Sequence, residues 1–186
     1  MRRVVIGENE SGKAVVCSDG KIPRVLCFDF DPQKRNILSE IWSTDATPEV
    51  AKNSDDPTVA LTSLAPPPGG TRCRVMNLPP DVEMGALLQA GAEKDIDLWE
   101  EFHRQAPGFK EHMDNATGKH ITDSVDYGVI ISGQVDLEID DGAEVHLQAG
   151  DTYVLNGAIH AWHNRYSEPC VWVVFMVGGT RTRSCG

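Results

Sequence analysis

The chain has 186 residues, enough for one substantial domain and cramped for two independent cores. Its 28 acidic side chains against 17 basic ones give a formal net charge of −11, which argues against nucleic acid and anionic membrane as partners, since both attract positive surfaces. No apolar run approaches the ~20 residues of a membrane span, and the apolar stretch in Met1-Arg-Arg-Val-Val-Ile-Gly is too short for a signal peptide, so the expected location is the cytoplasm.

Residues 1–45 read as short strands between turns: Arg3-Val-Val-Ile, Ala14-Val-Val-Cys, Arg24-Val-Leu-Cys-Phe and Ile37-Leu-Ser-Glu-Ile-Trp. From Thr44 to Ala60 the strand signals stop and a polar loop is expected. Pro66-Pro-Pro-Gly-Gly is a strong breaker, and Thr71 to Leu78 alternates like a half-buried strand. We therefore expect an N-terminal strand extension over 1–65 that packs on a barrel formed by 66–186, within one structural domain. The five cysteines (Cys17, Cys27, Cys73, Cys170 and Cys185) are scattered without C-x-x-C spacing and read as plain core or surface thiols.

Residues 81–119 are the least regular stretch. Ile96, Trp99 and Phe102, three apart, predict a short amphipathic helix over 95–105, with Asp95 or Asp97 capping its start and Pro107-Gly108 ending it. Such a helix either packs on a barrel wall or closes over a pocket.

From Asp126 onward the pattern is strand and turn. Gly133, Val135, Leu137 and Ile139 alternate with polar residues, Asp140-Asp141-Gly142 is a hairpin turn, and Ala143, Val145 and Leu147 resume the alternation. Short strands follow at Thr152–Leu155 and His160–Arg165, joined by the Asn156-Gly157 turn. The run from Cys170 to Val177 is apolar at both parities and predicts a central, covered strand. Many short strands joined by Gly and Asp turns make this an all-β jelly-roll barrel.

The polar residues that interrupt this alternation point to chemistry. His120 and Thr122, two apart, share a strand face, and Asp126 follows just before an apolar run. His160 comes after the Asn156-Gly157 turn, with Trp162 at the same parity and His163 facing away. Two imidazoles and a carboxylate from neighbouring strands would converge inside a small barrel. Trp162 and Tyr127 flank the set as surfaces for a planar ligand or as ordinary packing. Arg72 and Arg74 share a face and suit either a carboxylate ligand or a solvated edge. His103, His112 and His146 have no partner pattern.

These residues carry a resemblance to the cupin superfamily. Its first motif, G-x5-H-x-H-x3/4-E-x6-G, is matched by His120-Ile-Thr122-x3-Asp126-x6-Gly133, and its second, G-x5-P-x-G-x2-H-x3-N, is approached by Gly150-x6-Gly157-x2-His160-x3-Asn164, which keeps the spacing from Gly157 to Asn164 but is one residue shorter between the glycines and has no proline there. The resemblance covers about residues 70–178 and is strongest to small single-domain cupins of fungi and bacteria. It implies a double-stranded β-helix, here with the N-terminal strands and a short helix added. In metal-binding members, three histidines and a carboxylate hold a divalent metal. This chain has Thr122 in place of the second histidine, Asp126 in place of the glutamate, and no leading glycine. What the resemblance leaves as metal ligands is His120, Asp126 and His160, a set usable by Zn, Fe, Mn or Ni. Asp is one methylene shorter than Glu, which draws its oxygens roughly 1.5 Å back toward its own strand.

The resemblance implies an enzyme acting on an aromatic or polyketide-like acid or ketone in secondary or aromatic-compound metabolism. A lyase or isomerase is the expected class. His120, Asp126 and His160 would be catalytic, and Thr122, Tyr127, Trp162, Arg72 and Arg74 would contact the substrate. The alternatives are a metal-dependent dioxygenase, which the reduced ligand set disfavours, and a cupin that binds a small ligand without chemistry. No nucleotide cofactor is expected. A homodimer is, with the first 45 residues adding to a neighbour's sheet.

Overall fold

The alternating segments form two facing sheets, in a computed structural model that describes residues 1–31, 33, 35–50 and 55–182. The strands are β1 (Arg2–Glu8), β2 (Ala14–Lys21), β3 (Val25–Leu26), β4 (Leu38–Thr44), β5 (Thr71–Leu78), β6 (Ser124–Ser132), β7 (Gln134–Glu138), β8 (Glu144–Gln148), β9 (Thr152–Asn156), β10 (Ala161–His163) and β11 (Cys170–Gly178). Two helices, α1 (Asp81–Ala92) and α2 (Leu98–Gln105), lie between β5 and β6. The large sheet runs β3-β4-β5-β11-β6-β9, the small one β10-β7-β8, and β1-β2 is a hairpin of its own. Among the described residues every pairing between strands is antiparallel. Cys185 and residues 51–54 of the expected polar loop lie outside the described residues.

The core lies between the sheets because the inward parity of each strand is apolar. Ile130, Val135, Leu137, Leu147, Leu155, Trp172, Val174 and Met176 form one buried cluster drawn from both sheets. A second cluster joins Leu26, Phe28, Leu38, Leu61 and Leu64 to Leu98 of α2. Met76 packs against both. Gly133 turns β6 into β7 with φ +76°, and a Cβ there would meet the Pro169 carbonyl oxygen at 2.4 Å, which explains glycine at that motif position.

Several expectations are revised by this arrangement. β4 is paired with β5 from Leu38↔Met76 to Thr44↔Thr71, so β3 and β4 are strands of the barrel sheet, and the ladder crosses the boundary at residue 65. β11 is central, between β5 and β6, but only its inner face is fully covered. On its outer face Phe175 is 41% exposed and Val171, Val173 and Val177 are half-buried. The predicted helix is α2, capped by Asp97, whose Oδ1 accepts from the N–H groups of Trp99 and Glu100. Helix α1 had no periodic signal: Val82 and Leu88 are exposed while Leu87 and Gly91 are buried, so its apolar residues do not form one stripe. No helix among the described residues is long and apolar enough to cross a membrane.

Candidate functional site

A cavity of about 320 Å³ opens between the sheets, with apolar walls and one polar corner. The corner is built on a two-residue ladder. His120 and His160 pair as isolated antiparallel residues, their N–H groups donating to each other's carbonyls at 2.9 and 3.0 Å. Directly opposed residues of such a pair project their side chains to one side, and the two imidazole centroids lie 4.2 Å apart. His120 therefore sits in two isolated bridges before β6, to His160 and to Met113, and the expected strand over residues 120–122 does not form.

Both rings are tied in the same way. His120 Nδ1–H donates to the Gly118 carbonyl at 3.0 Å, and His160 Nδ1–H to the Ala158 carbonyl at 2.9 Å. A carbonyl only accepts, so the proton of each neutral ring is on Nδ1 and Nε2 keeps its lone pair. Burial drives the His120 pKa down to about 4, helped by the facing His160. Burial lowers that of His160 as well. Both rings are neutral at pH 7.

Asp126 belongs to a different line of groups. Thr122 Oγ1 lies 2.8 Å from Ser124 Oγ, and Ser124 Oγ–H donates to Asp126 Oδ1 at 2.6 Å. Asp126 is buried, and burial raises its pKa, against the opposing effects of the Ser124 hydrogen bond and of Arg74. Asp126, Thr122, Trp162 and Arg74 all line the cavity with the two histidines.

Two expected site residues are elsewhere. Tyr127 is 51% exposed on the outer face, since it has the opposite parity to Asp126 in β6. Arg72 shares the inner face with Arg74 but closes one end of the sheet. Its guanidinium donates to the carbonyls of Ser63, Thr44 and Thr71 and to Asp45. His163 does point away, to Glu138 at 2.7 Å.

The divalent metal implied by the fold family asks for donor atoms about 3–3.5 Å apart around one ion. Among the described residues, the one group of three His, Cys, Asp or Glu donors all within 4.8 Å of one another is Glu138, Glu144 and His163. The set of His120, Asp126 and His160 thus does not fit a three-ligand centre in this arrangement. Two imidazoles converge, while the Asp126 carboxylate accepts from Ser124. The Glu138 group is already neutralised by the chain's own cations, with Lys119 Nζ 2.8 Å from Glu138 and Arg165 Nη2 2.6 Å from Glu144.

Aromatic rings continue from the histidines in both directions. Trp162 packs edge-on against His160 at 5.9 Å and lies between Tyr153 and Trp172. Phe109 leans on His120 at 5.1 Å and touches Phe102 of α2, which touches Trp99. The segment over 81–119 therefore lines the cavity as part of its wall. Sequence reasoning missed Tyr153, Ser124 and Glu40. The first shares parity with Leu155, and the last is an acid at the inward parity of an apolar strand, which was a usable signal.

A family model described as Cupin domain matches residues 112–176. Phomopsin biosynthesis cluster protein C' of Diaporthe leptostromiformis is 46% identical over 46 residues, 25% of this chain and 24% of that protein. Oryzines biosynthesis cluster protein J of Aspergillus oryzae is 40% identical over 45 residues, 24% of this chain and 25% of that protein. The matches thus span about a quarter of the curated relatives' length. A Klebsiella pneumoniae protein with a double-stranded β-helix domain, solved by crystallography, is 16% identical with a TM-score of 0.42, covering 83% of this chain and 91% of that one.

Proposed function

We propose, from the match of a Cupin domain model to residues 112–176, an acid–base enzyme, a lyase or isomerase, acting on a small apolar ketone or acid. The observation that carries the reading is the pair of buried, neutral imidazoles facing one apolar cavity, each with Nδ1 tied to a carbonyl. Kinship over a short span with proteins of two biosynthesis clusters favours a secondary metabolite as substrate.

In this reading Nε2 of His160 removes a proton from the carbon next to a carbonyl, and His120, its ring 4.2 Å away on the same side, takes that role at a neighbouring carbon. The developing enolate oxygen accepts a hydrogen bond from Asp126, which burial favours in its protonated form. Ser124 orients that acid through the 2.6 Å bond to Oδ1 and leaves the other oxygen for the substrate. Return of the proton to a different carbon gives isomerisation; loss of a β-substituent gives elimination. Trp162 and Trp172 hold the apolar body and keep water out. No step is routed through a divalent metal, because His120, Asp126 and His160 do not bring their donor atoms together around one ion.

The test is deuterium wash-in from D2O at carbons next to the carbonyl in a panel of aryl and alkyl ketones, followed by proton NMR. Wild-type protein is expected to catalyse exchange, with a loss of about 10²–10⁴-fold in His160→Gln and His120→Gln. Exchange that survives in both variants would remove the two histidines from the chemistry, and no exchange with any ketone that binds would leave a ligand-binding cupin.

A further inference from the structure

The polar corner has a second half that the acid–base reading does not use. On the inner face of the large sheet, Glu40 of β4 is paired directly with Arg74 of β5, and Arg74 with Val174 of β11. Glu40 is 0% exposed and Arg74 4%. Arg74 Nη2 donates to the Leu64 carbonyl at 2.6 Å and lies 2.9 Å from Glu40 Oε1. Yet that ion pair is not a formed hydrogen bond. Both Glu40 oxygens and Arg74 Nε are buried with no hydrogen-bond partner.

A buried guanidinium with an open Nε–H, beside a carboxylate that accepts nothing, is a costly arrangement for a folded protein to keep. Its neighbours do not relieve it. Arg72 is committed to its own acceptors, and Asp126 is engaged by Ser124. Asp45, the counter-ion of Arg72, is 74% exposed at the end of the sheet. Arg74 also lines the cavity, on the same surface as the histidines and Asp126. A buried guanidinium at the wall of an apolar cavity, with its Nε–H unpartnered, fits one ligand chemistry: a planar oxyanion that supplies the acceptor Nε lacks.

We propose that the ligand of this cavity carries a carboxylate that binds Arg74, and that Glu40 is a positioning residue that holds Arg74 in the empty site and competes with the ligand for it. This rests on the reading of the cavity as a small-molecule site and names its substrate class as apolar carboxylic acids. The carboxylate end lies at Arg74, and the reacting carbon lies toward His120 and His160. A carboxylate on Arg74 explains a fully buried acid in β4 that has no other bonded partner, because Glu40 keeps the arginine extended toward the cavity until the ligand arrives.

The experiment compares acids with their neutral alcohols: phenylpropionate with phenylpropanol, and hexanoate with hexanol, by calorimetry on the full chain. The acid is expected to bind about 10–100-fold tighter than its alcohol, the range of a charge-assisted bond. Arg74→Gln should erase that preference and leave alcohol affinity within about threefold. Glu40→Gln should tighten the acid several-fold and leave the alcohol unchanged, which a merely structural glutamate would not do. Because the acid–alcohol comparison is made first in wild-type protein, it stands even if the Arg74 variant fails to fold. Equal binding of acid and alcohol in wild type overturns the carboxylate proposal and leaves the acid–base reading intact. Acid preference with no exchange of ketone deuterium supports this proposal and removes the acid–base one. If neither member of either pair binds, the carboxylate proposal falls and the ketone exchange alone decides the acid–base reading.

Discussion

Gly128→Ala tests whether the cavity floor is packed as described. Gly128 of β6 lies opposite Tyr153 of β9, and a Cβ at residue 128 would fall 2.1 Å from Tyr153 Cζ, 2.3 Å from Cε1 and 2.5 Å from the phenol oxygen. The ring is a rigid body already against Trp162 at 5.1 Å, so it escapes only by swinging into the cavity or by pushing β6 from β9. Overpacking of this kind costs about 1–3 kcal/mol, a fall in Tm of about 2–12 °C for a chain of this size. Thermal unfolding by circular dichroism measures the loss, and calorimetry with phenylpropanol measures the lost space. The double variant Gly128→Ala/Tyr153→Leu removes the obstructing ring and should be more stable than the sum of the single changes by at least about 1 kcal/mol. A Gly128→Ala protein with wild-type Tm and wild-type phenylpropanol binding would refute the reasoning.

Three further outcomes follow from named contacts. His120 has a folded pKa of about 4 against about 6.5 in an unfolded chain, so between those values the unfolded state binds more protons and stability falls as pH falls. The total is about 3 kcal/mol, read as the difference between wild type and His120→Gln in urea unfolding at pH 7 and pH 4; that difference separates the imidazole from Asp126 and Glu40, whose raised carboxyl pKa values tilt stability the other way. Asn164→Ala should cost about 2–4 kcal/mol, because its fully buried amide donates to the Leu78 and Glu168 carbonyls and accepts from the Tyr166 N–H; a loss under about 1 kcal/mol in the same urea experiment would contradict that role. On the outer face, Phe175, Tyr127 and Val154 are cross-strand neighbours 41%, 51% and 62% exposed, and the chain is expected to self-associate through this row. Tyr127→Glu with Phe175→Glu should then abolish the dimer in sedimentation, and a dimer that persists would place the contact elsewhere.

Much of the fold was legible because strand parity and turn residues are local signals. β5 over Thr71–Leu78 and the hairpin of β7 and β8 follow directly from period-two alternation. Helix α1 was not legible, since its hydrophobicity has no preferred side and its placement comes from tertiary contacts such as Asp81 with Asn164. At the site, parity put His120, Asp126, His160, Trp162 and Arg74 at one cavity. It said nothing of which carboxylate would be engaged by a neighbour, so the three-ligand set came apart at Asp126. Arg72 shows the same limit. Its inward parity was readable, whereas the carbonyls of Ser63 and Thr44 that use it up come from chain segments with no pattern of their own.

Two neutral imidazoles that offer Nε2 to an apolar cavity carry the proposed chemistry. Long-range ¹H–¹⁵N NMR of ring-labelled protein reads both the tautomer and the titration of His120 and His160. Nδ1-protonated rings at neutral pH, with His120 unprotonated down to about pH 4, are the predicted result. A proton on Nε2 of either ring, or titration of both near the ordinary histidine value of about 6.5, would contradict it.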